Sequence, residues 1–188
     1  WLCVVDNSKL TIQDLELGKE IFSIVQLDSL NWVAATSNGL FDASPEAMYK
    51  LYWVQDYDLI DFSQLKERYY EPGLLEKIMK GETLRTVEGL DKKIELAPEV
   101  EITKVDSSGN LKINLTNQGG GIGKIKVFIN GKEIADDIRG EKFDVNSSSA
   151  SISEKIKDHP YLIKGDTNII EVKAYNGENW VLSRGETI

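Results

Sequence analysis

Apolar and polar residues alternate in short bursts along most of this chain, the period-two spacing that puts successive side chains on opposite faces of a strand. Four bursts open it: WLCVV (1–5), KLTIQ (9–13), EIFSIV (20–25) and NWVAAT (31–36). Asp6-Asn7-Ser8, Glu16-Leu17-Gly18-Lys19 and Gln26 to Leu30 separate them with turn residues, so an antiparallel meander of four strands is predicted over 1–42.

The period changes over 43–98. Asn38-Gly39 marks a turn, and Ser44-Pro45-Glu46-Ala47 reads as a helix start, with a capping serine and proline at the first helical position. Met48, Leu51 and Tyr52 follow at helical spacing. Phe62, Leu65 and Tyr69 in FSQLKERYY predict a second short helix with Ser63 as its cap, and PGLLEKIMKG predicts a third, from Pro72 to Gly81. Helices this short need packing to persist. ETLRTVEGLDKKIELAP, polar and closed by Pro98, reads as a linker or domain boundary.

Alternation returns over 99–188 in EVEITKV (99–105), LKINLT (111–116), KIKVFIN (124–130), KFDV (142–145), SISEKI (151–156), NIIEVKAYN (168–176) and WVLSRGETI (180–188). Seven short strands bounded by Gly, Asn, Asp or Ser in this length predict an immunoglobulin-like β-sandwich, with one face of each sheet buried and the other wet. Asn130-Gly131 and Asn176-Gly177 are read as tight hairpin turns. The fold class expected is therefore mainly β: a small antiparallel β-meander, short helices, then the sandwich.

Composition removes several classes of function. Over 188 residues the net charge is -9, which disfavours the phosphate backbone of nucleic acid as a partner. No apolar run approaches the roughly eighteen residues of a membrane span. One cysteine excludes an internal disulfide and leaves the compartment undecided. The chain opens at Trp1 without methionine or a basic leader, and is expected to be part of a longer polypeptide.

NQGGGIGKIKV (117–127) resembles a phosphate-binding loop at first sight. That motif needs Gly, four residues, then Gly-Lys and a hydroxyl residue, whereas Gln118 and Ile125 stand at two of those positions. A strand pattern rather than a helix follows the glycines, so they are expected to join two strands through a tight turn or bulge. Cys3, between Leu2 and Val4, reads as a small buried hydrophobe, and His159, before Pro160, as a loop residue. No zinc spacing is legible. The acidic loops Asp106 to Asn110 and Asp136-Asp137 lack the EF-hand order of ligands and read as turns. Asn146-Ser147-Ser148 fits an N-glycosylation pattern. No catalytic, cofactor-binding or metal-binding residue is assigned. Tyr69-Tyr70, and Tyr175 with Trp180, are candidates for a ligand or carbohydrate-stacking surface, against the reading that they pack.

Four blocks in order, NWVAATSNGLFDASPEAMYKLYWV, LKERYYEPGLLEKIMKG, LKINLTNQGGGIGKIKVFINGKEI and TNIIEVKAYNGENWVLSRGETI, resemble a region of bacterial multidomain proteins. In that family the region lies between a WD-repeat β-propeller and a caspase-like cysteine peptidase domain. The resemblance runs from about residue 9 to the end. It implies that the meander is the end of a propeller, with LTIQDLELGKEI like the end of a blade and Gln13-Asp14 where the family has Trp-Asp. It also implies a non-catalytic connecting role, with other domains of the same polypeptide or protein partners as what the chain touches. A caspase-like site needs a histidine base and a cysteine nucleophile, and neither local signature surrounds Cys3 or His159. The alternative expectation is a surface-exposed carbohydrate- or ligand-binding sandwich.

Overall fold

Alternating residues become strands over most of the molecule. The structure, a computed structural model, describes residues 1–88, 90 and 93–188. The chain forms two compact units, Trp1–Ile94 and Glu95–Ile188, each with its own core.

In the first unit, β1 (Leu2–Asp6), β2 (Lys9–Asp14), β3 (Lys19–Gln26), β4 (Trp32–Thr36) and β5 (Phe41–Ala43) form one antiparallel sheet in chain order. The four expected strands are present, and a short fifth extends the meander. Ile12 pairs with Phe22 across β2 and β3, and Leu10 with Ile24, so these four share a face. That face is covered by Leu74 and Ile78 of α2 (Leu74–Met79). On the other face Ala35 pairs with Phe41, whose ring meets Phe62 at 4.9 Å between centroids. The edge strand β1 has no such cover: all five of its residues are exposed, and among the described residues it is laddered only to β2. Cys3 is consequently exposed, not buried as its apolar neighbours suggested.

The helix expected from Ser44 does not form. Its hydroxyl accepts the Trp32 N–H at 3.2 Å and donates to Asn31 Oδ1 at 3.1 Å, and only one 3-10 turn follows, Ala47–Tyr49. Beyond it lies an unforeseen hairpin, β6 (Tyr52–Gln55) with β7 (Asp58–Asp61). Tyr52 and Val54 are exposed while Trp53 and Gln55 are half-buried, a period of two within a segment read as helical. Asp56, at φ 54°, makes the turn in the left-handed region that Asp tolerates better than most residues. The second predicted helix exists as a 3-10 turn, Phe62–Leu65, running into α1 (Lys66–Tyr69). Its cap is Asp61, paired with Gln64 in a capping box, rather than Ser63.

After Gly81, residues 82–88 run over the first unit without regular structure. Leu84 and Val87 pack on the cluster around Phe22, and Ile94 is buried and bonded in both directions between its backbone and the Gln55 amide. Arg85 binds the Glu71 carboxylate at 2.7 Å and the carbonyls of Arg68 and Tyr70 at 2.7 and 2.8 Å. Lys77 pairs with the same carboxylate. Lys77 first, then Arg85, holds the Glu71 carboxyl below its ordinary value of 4.5, against an opposing push from burial. A carboxyl depressed in the folded state contributes stability that is fully present above 4.5 and is lost as pH falls through the folded value. Glu71→Gln is therefore expected to lower the thermal midpoint of this unit near neutral pH and to flatten its fall in acid. Parallel acid profiles for the two proteins would contradict that role.

In the second unit, β8 (Glu99–Val105), β9 (Asn110–Thr116) and β12 (Ser149–Lys155) make one sheet, ordered β12-β9-β8. The other, ordered β11-β10-β13-β14, contains β10 (Ile125–Ile129), β11 (Lys132–Ala135), β13 (Ile170–Ala174) and β14 (Glu186–Thr187). Leu111, Ile113 and Leu115 of β9 face Ile125, Val127 and Ile129 of β10 and Val172 of β13 in one core, all 0–1% exposed. Burying each such aliphatic side chain contributes about 2 kcal/mol relative to leaving it in water. The chain changes sheets between β9 and β10, β11 and β12, and β12 and β13, the crossings of an immunoglobulin-like sandwich.

Two of the predicted strands differ. KFDV is a turn whose Phe143 packs inward, and its place in the ladder is taken by β11, beyond the Asn130-Gly131 turn. Both turn residues have positive φ, 51° and 76°, as a two-residue hairpin of this twist requires. WVLSRGETI is a strand only at its end, Glu186–Thr187; before it Leu182 makes a single antiparallel bridge to Tyr175, and Gly185, at φ 83°, lies between the two.

Candidate functional site

The glycine loop gains its geometry from close backbone approach. It links β9 to β10 across the sandwich, from one sheet to the other, rather than turning between paired neighbours. The N–H groups of Gly119 and Gly121 donate to Asn117 Oδ1 at 2.8 and 2.9 Å, and Ile122 N–H donates to the Val145 carbonyl at 2.8 Å. Gly123 N–H donates to the Tyr175 carbonyl and Lys124 N–H to Asn179 Oδ1, each at 2.8 Å. A phosphate-binding loop presents these donors to its ligand, and here they are already engaged within the chain. A Cβ on Gly120 would lie 2.2 Å from the Leu96 carbonyl oxygen, and one on Gly123 would lie 1.9 Å from that of Asn176. The glycines are there because backbone passes against backbone.

The far side of this contact is the loop after β13. Asn176-Gly177 is not a two-residue hairpin: the Asn176 N–H bonds the Val181 carbonyl, closing a longer loop. The Asn176 side chain is fully buried and satisfied. Its Oδ1 accepts from the N–H groups of Trp180 and Val181 at 3.0 and 3.2 Å, and its Nδ2 donates to the Glu95 carbonyl at 3.0 Å.

This arrangement places the two candidate aromatic residues. Tyr175 is 6% exposed and Trp180 8%. The Trp180 indole N–H donates to Glu178 at 3.0 Å, and Lys126 Nζ lies 5.8 Å from the centre of the Tyr175 ring. Burial pushes the Lys126 ammonium down, but the hydrogen bonds it donates to Asp136 and Glu133 outweigh it and hold the group above its ordinary range. A sugar-stacking platform needs ring faces open to solvent. These rings offer almost none. Of the other pair, Tyr69 is buried at 2% and Tyr70 is half-buried against Phe41.

The remaining candidates are dispersed. Cys3 lies in the first unit and His159 in the second, where its Nδ1 accepts the Tyr161 N–H at 3.2 Å. Asp106 accepts from the N–H groups of Ser108 and Asn110 at 2.9 Å, closing its own turn. Asp136 pairs with Lys124 and Lys126, and Asp137 with Arg139. Among the described residues no cluster of three or more His, Cys, Asp or Glu could hold a metal ion, and no helix is long and apolar enough to cross a membrane.

One feature was not anticipated from the sequence. A cavity of about 450 Å³ lies in the first unit, lined among the described residues by Ala35, Phe41, Trp53, Phe62, Leu65 and Leu90, with Thr36, Ser37 and Gly39. Its walls come from β4, β5, β6 and the turn at 62–65, so it depends on the hairpin that helical spacing concealed. Comparison of the chain with protein-family models, with curated proteins and with solved structures finds no match.

Proposed function

We propose that this chain is a non-catalytic connecting module of a larger bacterial multidomain protein, spacing a WD-repeat propeller from a caspase-like peptidase domain. The observation that carries the reading is the uncovered edge of the first sheet. Propeller blades are four-stranded sheets that pack face to face around an axis. β1 to β4 form a four-stranded meander, and at its outer end Trp1, Leu2, Val4 and Val5 are 41–69% exposed. A contiguous apolar strand left open to water marks a surface that meets protein. At the other edge of this sheet β4 is paired by the short β5, while α2 covers one face of β2 and β3. The burial of Tyr175 and Trp180 weighs against the carbohydrate-binding alternative.

Incubated with a panel of peptides, the purified chain is expected to release no product above buffer. Turnover that disappears in Cys3→Ala would overturn the non-catalytic part of the proposal. The spacing role is tested by the surrounding reading frame, which is expected to encode blade-forming repeats before Trp1 and a cysteine–histidine peptidase domain after Ile188. A frame with neither sinks it.

A further inference from the structure

We propose that the cavity of the first unit is a binding site for a small, uncharged, ring-containing molecule. This goes beyond the connecting role, and its failure would leave that role standing. Size comes first: about 450 Å³ falls within the range of roughly 300–1,000 Å³ typical of small-molecule sites. Chemistry comes second. Among the described residues no charged one lines the cavity, so an ionic ligand would shed its water without gaining a partner from them.

The walls are mostly flat or aliphatic. The half-buried Trp53 and Phe62 supply aromatic surface and Leu90 supplies methyl groups, while Phe41 and Leu65 back the wall from beneath. Ala35 lines the cavity with a single methyl, and a Cβ added to Gly39 would approach Leu90 to 3.1 Å. The site is also held in shape before any ligand arrives. Phe41 and Leu65 are only 3% and 1% exposed, and the Phe41 ring is braced by Phe62 at 4.9 Å and Tyr70 at 5.7 Å. Few side chains need ordering on binding, which favours affinity.

Among the described residues polar groups at this site are sparse. The Thr36 hydroxyl is engaged with Asn38 Oδ1 at 2.5 Å and the Leu40 carbonyl at 3.2 Å. Ser37 is exposed, where its hydroxyl can meet one polar substituent of a ligand. The ligand class that fits is therefore a fused-ring or alicyclic compound with at most one polar group facing outward.

The test uses N-phenyl-1-naphthylamine, a neutral aromatic fluorophore, titrated into the whole chain carrying labelled Leu, Val and Ala methyl groups. Expected are saturable one-site binding and shifts centred on the methyls of Ala35, Leu65 and Leu90. Ala35→Phe, which replaces that methyl with a ring, is expected to weaken binding at least about tenfold, while Val5→Ser on β1 leaves it within roughly twofold. If Ala35→Phe loses its circular dichroism signature, Ser37→Trp at the exposed mouth decides the matter by the same criterion. Absence of saturable binding overturns the proposal. So do shifts confined to Leu2, Val4 and Val5, or affinity lost in Val5→Ser and kept in Ala35→Phe, since the dye would then be sitting on the open sheet.

Discussion

Gly123→Ala is expected to destabilise the second unit by about 3 kcal/mol, a magnitude in line with forcing extra volume into a closely packed site. The reason is a single distance. The new Cβ would fall 1.9 Å from the carbonyl oxygen of Asn176 and 2.6 Å from Asn179 Oδ1. The backbone oxygen cannot swing aside as a side chain could, because Gly123 and Tyr175 are themselves hydrogen-bonded across the same contact. Gly140→Ala is the matched control: nothing lies within 4 Å of its Cβ position and its φ is not positive, so its effect should stay within about 0.5 kcal/mol. Urea unfolding, followed by hydrogen exchange at amides of β9, β10 and β13, isolates the second unit from the first. Equal midpoints for the two variants would refute the close-approach account.

Asn176→Ala is expected to have a comparable effect, about 3 kcal/mol, by a different route. Truncation strips the acceptor from the N–H groups of Trp180 and Val181 and the donor from the Glu95 carbonyl. The position is fully buried, so water has poor access to replace the lost bonds. Such groups cost more when orphaned than the bonds contributed when made. The same exchange measurement should show the greatest loss of protection at Trp180 and Val181. A variant with wild-type stability would mean that water enters this loop freely.

The strands β9, β10 and β13 were legible because each alternates over at least five residues and buries one face. Legibility failed where the pattern was short or shared. Met48, Leu51 and Tyr52 fit a helical spacing, yet Tyr52 begins β6, whose turn at Asp56 contains no glycine to announce it. KFDV alternates but lacks a neighbour to ladder with, while the four residues of β11 are too few to stand out without their hairpin. The stretch after Gly81 looked like a tether because its apolar residues are sparse. Its attachment rests on Arg85, Gln55 and a few contacts that only folding brings together. Cys3 was misread because neighbours in sequence say nothing about whether a second layer covers the strand.

The glycine loop shows the same division. That the loop departs from the phosphate-binding motif was legible in two failed positions and the strand after it. That Gly120 and Gly123 are needed for want of a side chain depends on Leu96 and Asn176, one upstream and one far downstream. No local window contains both. Tyr175 and Trp180 drew attention as aromatics, but their near-complete burial is a property of the closed sandwich. The cavity in the first unit gave no signal because its rings come from separate elements of a segment read with the wrong period.

The bond from Asn176 to the Glu95 carbonyl spans 81 positions, tying the start of the second unit to a loop near its end. On a ribosome this sets an order of events. The glycine crossing between β9 and β10 leaves the exit tunnel well before the residues that hold it, and contacts of such long separation form late. The sandwich is therefore expected to close only once the loop around Asn176 has emerged.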